Sequence, residues 1–193
     1  MRQDVSCMNY YSDRTFQNLH SADFEISEYN SCTFVGCNFS NLNFQGSSFE
    51  NCSFKNCDLS NSKVSGVSFQ TVRFETCKIL GVHFNVANPF LIEFNFQGCQ
   101  LDYCNFYNLK LKKSIFQKCR LLETDFSQTD LSGASFIGSE LSGTVFDQSN
   151  LEKADFREAV NYRIEPERNR IKGARFDLEG LPGLLGRWGI KIG

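Results

Sequence analysis

The chain has 193 residues with a formal net charge of −2, and its 20 phenylalanines and nine cysteines stand out. That length is the size of one domain. No apolar run approaches membrane-spanning length and no secretory signal is visible in MRQDVSCMNYYSDRTF, so a membrane span is excluded and a cytoplasmic location is expected.

Residues 1–20 keep little pattern: Leu19 is in phase with the repeat that begins at Phe24, and Phe16 is not. They are expected to form an N-terminal lead-in that covers the first coil. From Phe24 a large hydrophobic residue then recurs at every fifth position through Tyr29, Phe34, Phe39 and onward to Phe84, thirteen in succession. A second series of thirteen runs from Phe96 through Leu101 and Phe106 to Phe156. A period of five fits neither a helix nor a strand and implies a repeat architecture. Two places before each large residue stands a small or thin one, such as Ala22, Ser27, Cys32 or Thr124, with Leu42, Phe94 and Leu109 as exceptions. Each unit thus has two inward residues and three mostly polar ones, which suits a chain that turns a corner at every unit. No coil buries its inward face alone, so coils must stack.

Eight of the nine cysteines occupy the small inward position: Cys32, Cys37, Cys52, Cys57, Cys77, Cys99, Cys104 and Cys119. There they read as small buried residues and not as disulfides or zinc ligands, and free thiols fit a reducing compartment. Cys7 falls outside the repeat and is unassigned. His20 and His83 have no catalytic partner in sequence and read as surface residues. No phosphate loop, dinucleotide fingerprint or metal spacing is present, so no enzyme, cofactor or metal is expected.

The repeat of residues 21–160 is broken at 86–93. Phe84 and Phe96 are twelve residues apart, two units plus two extra residues. Asn88, Pro89, Phe90 and Leu91 form either a bulge packed on the coil or a contact loop, since interruptions in solenoids often map to a binding face. Residues 161–193 leave the repeat, touch it again at Ala174 and Phe176, and end in DLEGLPGLLGRWGIKIG. Leu181, Leu184, Leu185 and Trp188 have helical spacing, and Ile190 and Ile192 alternate like a strand. This segment is expected to cap the coil end and, with Leu181, Leu184, Leu185, Trp188 and Ile190, to join two copies as a dimer.

Charge is uneven along the chain. Residues 121–160 hold eight acids against two bases, whereas residues 161–193 hold seven bases against four acids. An acidic face including Asp130, Asp147, Glu152 and Asp155 either imitates a nucleic-acid backbone for a protein that grips DNA or is ordinary solvated surface.

Stretches such as TDLSGASFIGSELSGTVFDQSNLEKADF match the A-(D/N)-L-x-x consensus, and the chain resembles the pentapeptide-repeat family over nearly all its length. The resemblance implies an all-β fold, a right-handed quadrilateral β-helix with four units per coil. Twenty-six strict units would then give six and a half coils, a rod of about 30 Å. The break, the segment IEPERNRI and the GIKIG ending resemble the quinolone-resistance (Qnr) and microcin-immunity group of that family. This implies a dimeric binding protein that protects DNA gyrase or topoisomerase IV from a poison, by partial DNA mimicry or by loop contact, without binding nucleic acid itself. The alternative is a scaffold or interaction rod with no topoisomerase role.

Overall fold

The computed structural model describes residues 8–190; Cys7 and Ile192 lie outside them. Ten short strands alternate with corners: β1 (Asn9–Ser12), β2 (Thr15–Gln17), β3 (Ser27–Asn30), β4 (Thr33–Val35), β5 (Ser48–Glu50), β6 (Ser53–Lys55), β7 (Ser68–Gln70), β8 (Val72–Glu75), β9 (Phe94–Gln97) and β10 (Ile115–Gln117). They form two parallel sheets on adjacent sides of a coil, in the orders β1-β3-β5-β7 and β10-β9-β8-β6-β4-β2. Beyond β10 the coil continues as single parallel bridges, such as Ser135 with Asp155 and Asp155 with Arg175. Backbone amides and carbonyls pair between coils throughout, as in Phe39 N to Asp58 O at 2.7 Å and Lys78 N to Cys57 O at 2.9 Å. The chain is a parallel β-solenoid of the quadrilateral type.

Four inward columns result. Side 1 carries Tyr11, Tyr29, Phe49 and Phe69, then Leu111, Leu131 and Leu151. Side 2 is an unbroken stack of nine rings: Phe16, Phe34, Phe54, Phe74, Phe96, Phe116, Phe136, Phe156 and Phe176. Centroids along it are 4.7 to 5.3 Å apart, the coil-to-coil repeat. Side 3 holds Phe39, Leu59, Ile79, Leu101, Leu121 and Leu141, and side 4 holds Phe44, Val64, Phe84, Phe106, Phe126 and Phe146, all buried. Columns on opposite sides meet edge to face across the interior, as Phe116 and Phe126 do at 5.2 Å and 80°.

The small position does more than leave room. At many of these places the hydroxyl or thiol donates to a carbonyl of the preceding coil: Thr129 Oγ1 to Phe106 O at 2.8 Å, Ser139 Oγ to Phe116 O at 2.6 Å, Cys77 Sγ to Phe54 O at 3.3 Å; the hydroxyls of Ser27, Ser47, Ser62 and Ser114 have no protein partner among the described residues. Cys, Ser and Thr interchange there because each is a short donor. All eight described cysteines are free and buried.

The register corrects the boundary placed at residue 20. Residues 9–20 are part of the coil, with Tyr11 opposite Tyr29 and Phe16 opposite Phe34. That spacing is two residues shorter than the regular one between Phe34 and Phe54, so Phe16 falls out of phase although it belongs to the column. The shortfall lies in the 3-10 turn Ser21–Asp23. His20 still pairs with Asn38, while Phe24 already packs on Phe44 at 5.0 Å. This tightened corner leaves Ala22 exposed rather than inward. At the other end the coil also outlasts its strict repeat: Ile164 and Asn169 are buried, and Phe176 stacks on Phe156 at 5.2 Å.

Candidate partner-binding surface

The break is located by a change of register. Ser68 pairs with Asn88, but Val72 pairs with Phe94, so the five residues 89–93 face the three residues 69–71. The excess folds outward, and Ile92 pairs antiparallel with Gln70 in an otherwise parallel coil. Pro89 stands where the side 1 column would continue. It lacks an amide hydrogen and interrupts the ladder. Phe94, at a small position, fills the gap and touches the rings of Phe69, Phe74, Phe84 and Phe96. Its bulk at that position is thereby explained.

Phe90 and Leu91 project into solvent, 65% and 61% exposed. Leu91 has φ +56° and is the one apolar aliphatic residue among the described non-glycine residues in the left-handed region. The loop is pinned at both ends. Asn88 Nδ2 donates to Ser68 Oγ at 2.9 Å, and Phe90 N donates to Asn88 Oδ1 at 3.1 Å. Thr71 Oγ1 donates to Glu93 Oε2 at 3.1 Å, and Ala87 and Phe94 are buried on either side.

The four carboxylates read as an acidic face do not share one. Asp130 and Glu152 flank the side 1 leucines, Asp155 precedes Phe156 on side 2, and Asp147 follows Phe146 on side 4. Each is ion-paired: Asp130 with Lys112 at 3.4 Å, Asp147 with Arg168 at 2.6 Å, Glu152 with Arg170 at 2.8 Å and Asp155 with Arg157 at 2.6 Å. The Arg157 guanidinium holds the Asp155 carboxyl below its ordinary value. Among the described residues the acids without an ion-pair partner in this region are Glu123, Asp125, Glu140 and Glu158, spread over sides 2 to 4. Among the described residues one acid is buried: Asp102, held by the Arg120 guanidinium and the Leu122 amide.

At the C-terminus a short helix, α1 (Pro182–Leu185), lies between two 3-10 turns, Leu178–Gly180 and Gly186–Trp188. It sits on Tyr162, whose ring leaves no space for a side chain at Gly180 or Gly183. Leu184 packs against the coil core, which corrects its place among outward contact residues: it caps. Leu185 is half-buried. Leu181, Trp188 and Ile190 are exposed, and Leu178, which the spacing did not single out, is more exposed still at 78%. Ile190 lies in no strand. A cleft of about 460 Å³ between cap and coil is lined by Glu158, Tyr162, Asp177 and Pro182.

His20 and His83 are both exposed. No cluster of three or more metal-ligating side chains occurs among the described residues, and none of their helices is long and apolar enough to cross a membrane.

A solenoid of stacked five-residue sides with aromatic columns defines a repeat protein that presents surfaces rather than a pocket. The chain belongs to the pentapeptide-repeat family, whose profile, described as pentapeptide repeat region, matches residues 22–106 and 109–177. No curated protein matches the sequence. Among solved structures the chain is similar to a trypsin-treated variant of QnrB1, a plasmid-mediated fluoroquinolone resistance protein, at 21% identity and TM-score 0.47, covering 96% of this chain and 98% of that one. It is also similar to HetL, a pentapeptide repeat protein involved in heterocyst differentiation regulation from the cyanobacterium Nostoc sp. strain PCC 7120, at 15% identity and TM-score 0.44, covering 86% and 84%.

Proposed function

We propose that this chain is a non-enzymatic binding protein that protects DNA gyrase or topoisomerase IV from a quinolone or peptide poison through its loop at residues 89–93. The observation that carries the binding role is the exposed pair Phe90 and Leu91, pinned on a rigid polar rod. Two adjacent apolar side chains held out from a pinned loop suit insertion into a partner's recess. The partner's name rests on the resemblance in layout: a break between two blocks of coils and an apolar ending. Loop contact is favoured over DNA mimicry, because Asp130, Asp147, Glu152 and Asp155 are spread over three sides and neutralised by paired bases. The exposed Leu178, Leu181, Trp188 and Ile190 at the rod end are the proposed dimer contact.

The test is gyrase supercoiling with a poison present, titrated with the protein, beside the same titration without poison. Restored supercoiling at low protein supports protection. Inhibition in the poison-free arm at those concentrations identifies competition with DNA instead. No rescue with quinolone or peptide poisons refutes the topoisomerase role and leaves the interaction-rod alternative.

A further inference from the structure

Beyond the loop, toward the C-terminus, the side that carries it is basic, whereas its first coils hold Glu28 and Glu50. On side 1 an outward row of bridges runs from Lys110 through Asp130 and Asn150 to Arg170, and Lys110 follows Asn88 by the same offset that joins Lys78 to Gln100 and His83 to Asn105. The two rows beside it run Lys112, Ser132, Glu152, Lys172 and Lys113, Gly133, Lys153, Gly173, joined by Lys113 N to Ser132 O, Gly133 N to Glu152 O and Lys153 N to Lys172 O. Across these rows six cations face only Asp130 and Glu152, on a chain whose formal charge is −2. Both acids are already paired, with Lys112 and Arg170. Lys110, Lys113, Lys153 and Lys172 have no ion-pair partner among the described residues. Two of their stems are laid on glycines: Lys113 Cγ would be 3.5 Å from a Cβ at Gly133, and Lys153 Cγ 3.4 Å from one at Gly173. The stem is thus supported and the ammonium points to water. Three coil steps separate Lys110 from Arg170, about 14 Å.

We infer that side 1 is a single docking surface, apolar at Phe90 and Leu91 and basic from Lys110 to Lys172, and that its partner is an acidic protein surface with an apolar recess. Charge complementarity excludes a basic DNA-binding groove as the region met by this side. A nucleic acid fits less well. Asp130 and Glu152 interrupt the cations where phosphates would run, and the loop offers the single ring of Phe90 where a strand would stack successive bases. The inference deepens the loop-docking reading and rests on it for the use of Phe90 and Leu91. If the partner is a topoisomerase, the contact falls on an acidic part of it.

The experiment uses the full chain and two kinds of probe. The first is an immobilised glutamate–tyrosine copolymer, an acidic aromatic polypeptide, compared with a single-stranded oligonucleotide of equal charge and with vesicles containing phosphatidylserine. The second is purified gyrase. The variants are K113E/K153E/K172E on side 1, F90S/L91S in the loop, and E123K/E140K elsewhere, each checked by thermal melting. The copolymer should bind, weaken about tenfold with the lysine reversal and with rising salt, and keep its affinity in E123K/E140K. Stronger binding to the oligonucleotide or vesicles than to the copolymer overturns the choice of partner, and an unchanged affinity in the lysine reversal overturns the surface. Gyrase separates the two levels. Gyrase binding that ignores the lysine reversal sinks this inference alone, whereas copolymer binding without gyrase binding sinks the topoisomerase reading and keeps the surface.

Discussion

Phe94 packs against Phe69 with ring centroids 5.6 Å apart, and so closes the column that Pro89 leaves open. The loop and the core are therefore coupled in opposite senses: the chain leaves the column at Pro89 so that Phe90 and Leu91 can project, and a ring at a normally small position fills the gap. Phe94→Ala should cost about 3–5 kcal/mol as a cavity among stacked rings, read by denaturant unfolding. Phe90→Ala should leave stability unchanged. Leu91→Gly should gain about 1 kcal/mol by relieving its left-handed backbone. Equal effects of Phe94→Ala and Phe90→Ala would mean the register of the break is wrong.

The thiols test the role of the small position. Burial pushes Cys52 and Cys104 up to about 12, so no thiolate forms there at pH 8. The eight buried cysteines should resist a thiol reagent in the folded protein and all react in guanidinium. Cys77→Ser should be mild, because a hydroxyl can still donate to Phe54 O as Ser139 does to Phe116 O. Cys77→Asp should unfold the coil by burying a charge. Rapid native labelling at Cys77 would contradict the assigned inward face.

Acid should act through the paired carboxylates. The Arg157 pairing depresses the folded-state value of Asp155 below 3.8. Such a group stabilises in full above its unfolded value and loses that contribution as pH falls through the folded one. Stability should therefore be flat from pH 5 to 8 on this account and fall below about pH 4. Asp155→Asn should lower the plateau and soften the acid limb, as followed by melting temperature against pH.

The C-terminal surface separates capping from association. Trp188→Asp should convert a dimer to a monomer in sedimentation velocity with little change in melting, since Trp188 is half exposed. Leu184→Asp should loosen the cap itself, because Leu184 packs on the core. A wild-type protein that is monomeric at micromolar concentration would remove the proposed interface.

The five-residue period exposed the columns because the large inward residue recurs without a miss from Phe24 to Phe84 and again from Phe96 to Phe156. Phe16 escaped it, since the tight corner at Ser21–Asp23 shifts the phase by two residues before the regular spacing begins. The break was legible as an insertion, but not the exchange of Pro89 for Phe94, which depends on contacts between coils. The acids misled for a geometric reason. Every five residues advance the chain by one side, so acids adjacent in sequence land on different sides. Two of their partners come from the next coil, Arg168 for Asp147 and Arg170 for Glu152, and Lys112 reaches Asp130 from the coil before. The bases of residues 110–120 were visible as a cluster of five without an acid, but the union of Lys110, Lys112 and Lys113 on side 1 with Lys153 and Lys172 was hidden by the same wrapping, with Lys113 and Lys153 two coils apart.

The most direct test of the loop-docking account is rescue of poisoned gyrase by the wild-type protein compared with F90S/L91S, both shown to melt alike. The account predicts restored supercoiling with the wild type and loss of rescue with the double variant. Equal rescue by a folded F90S/L91S protein would contradict it.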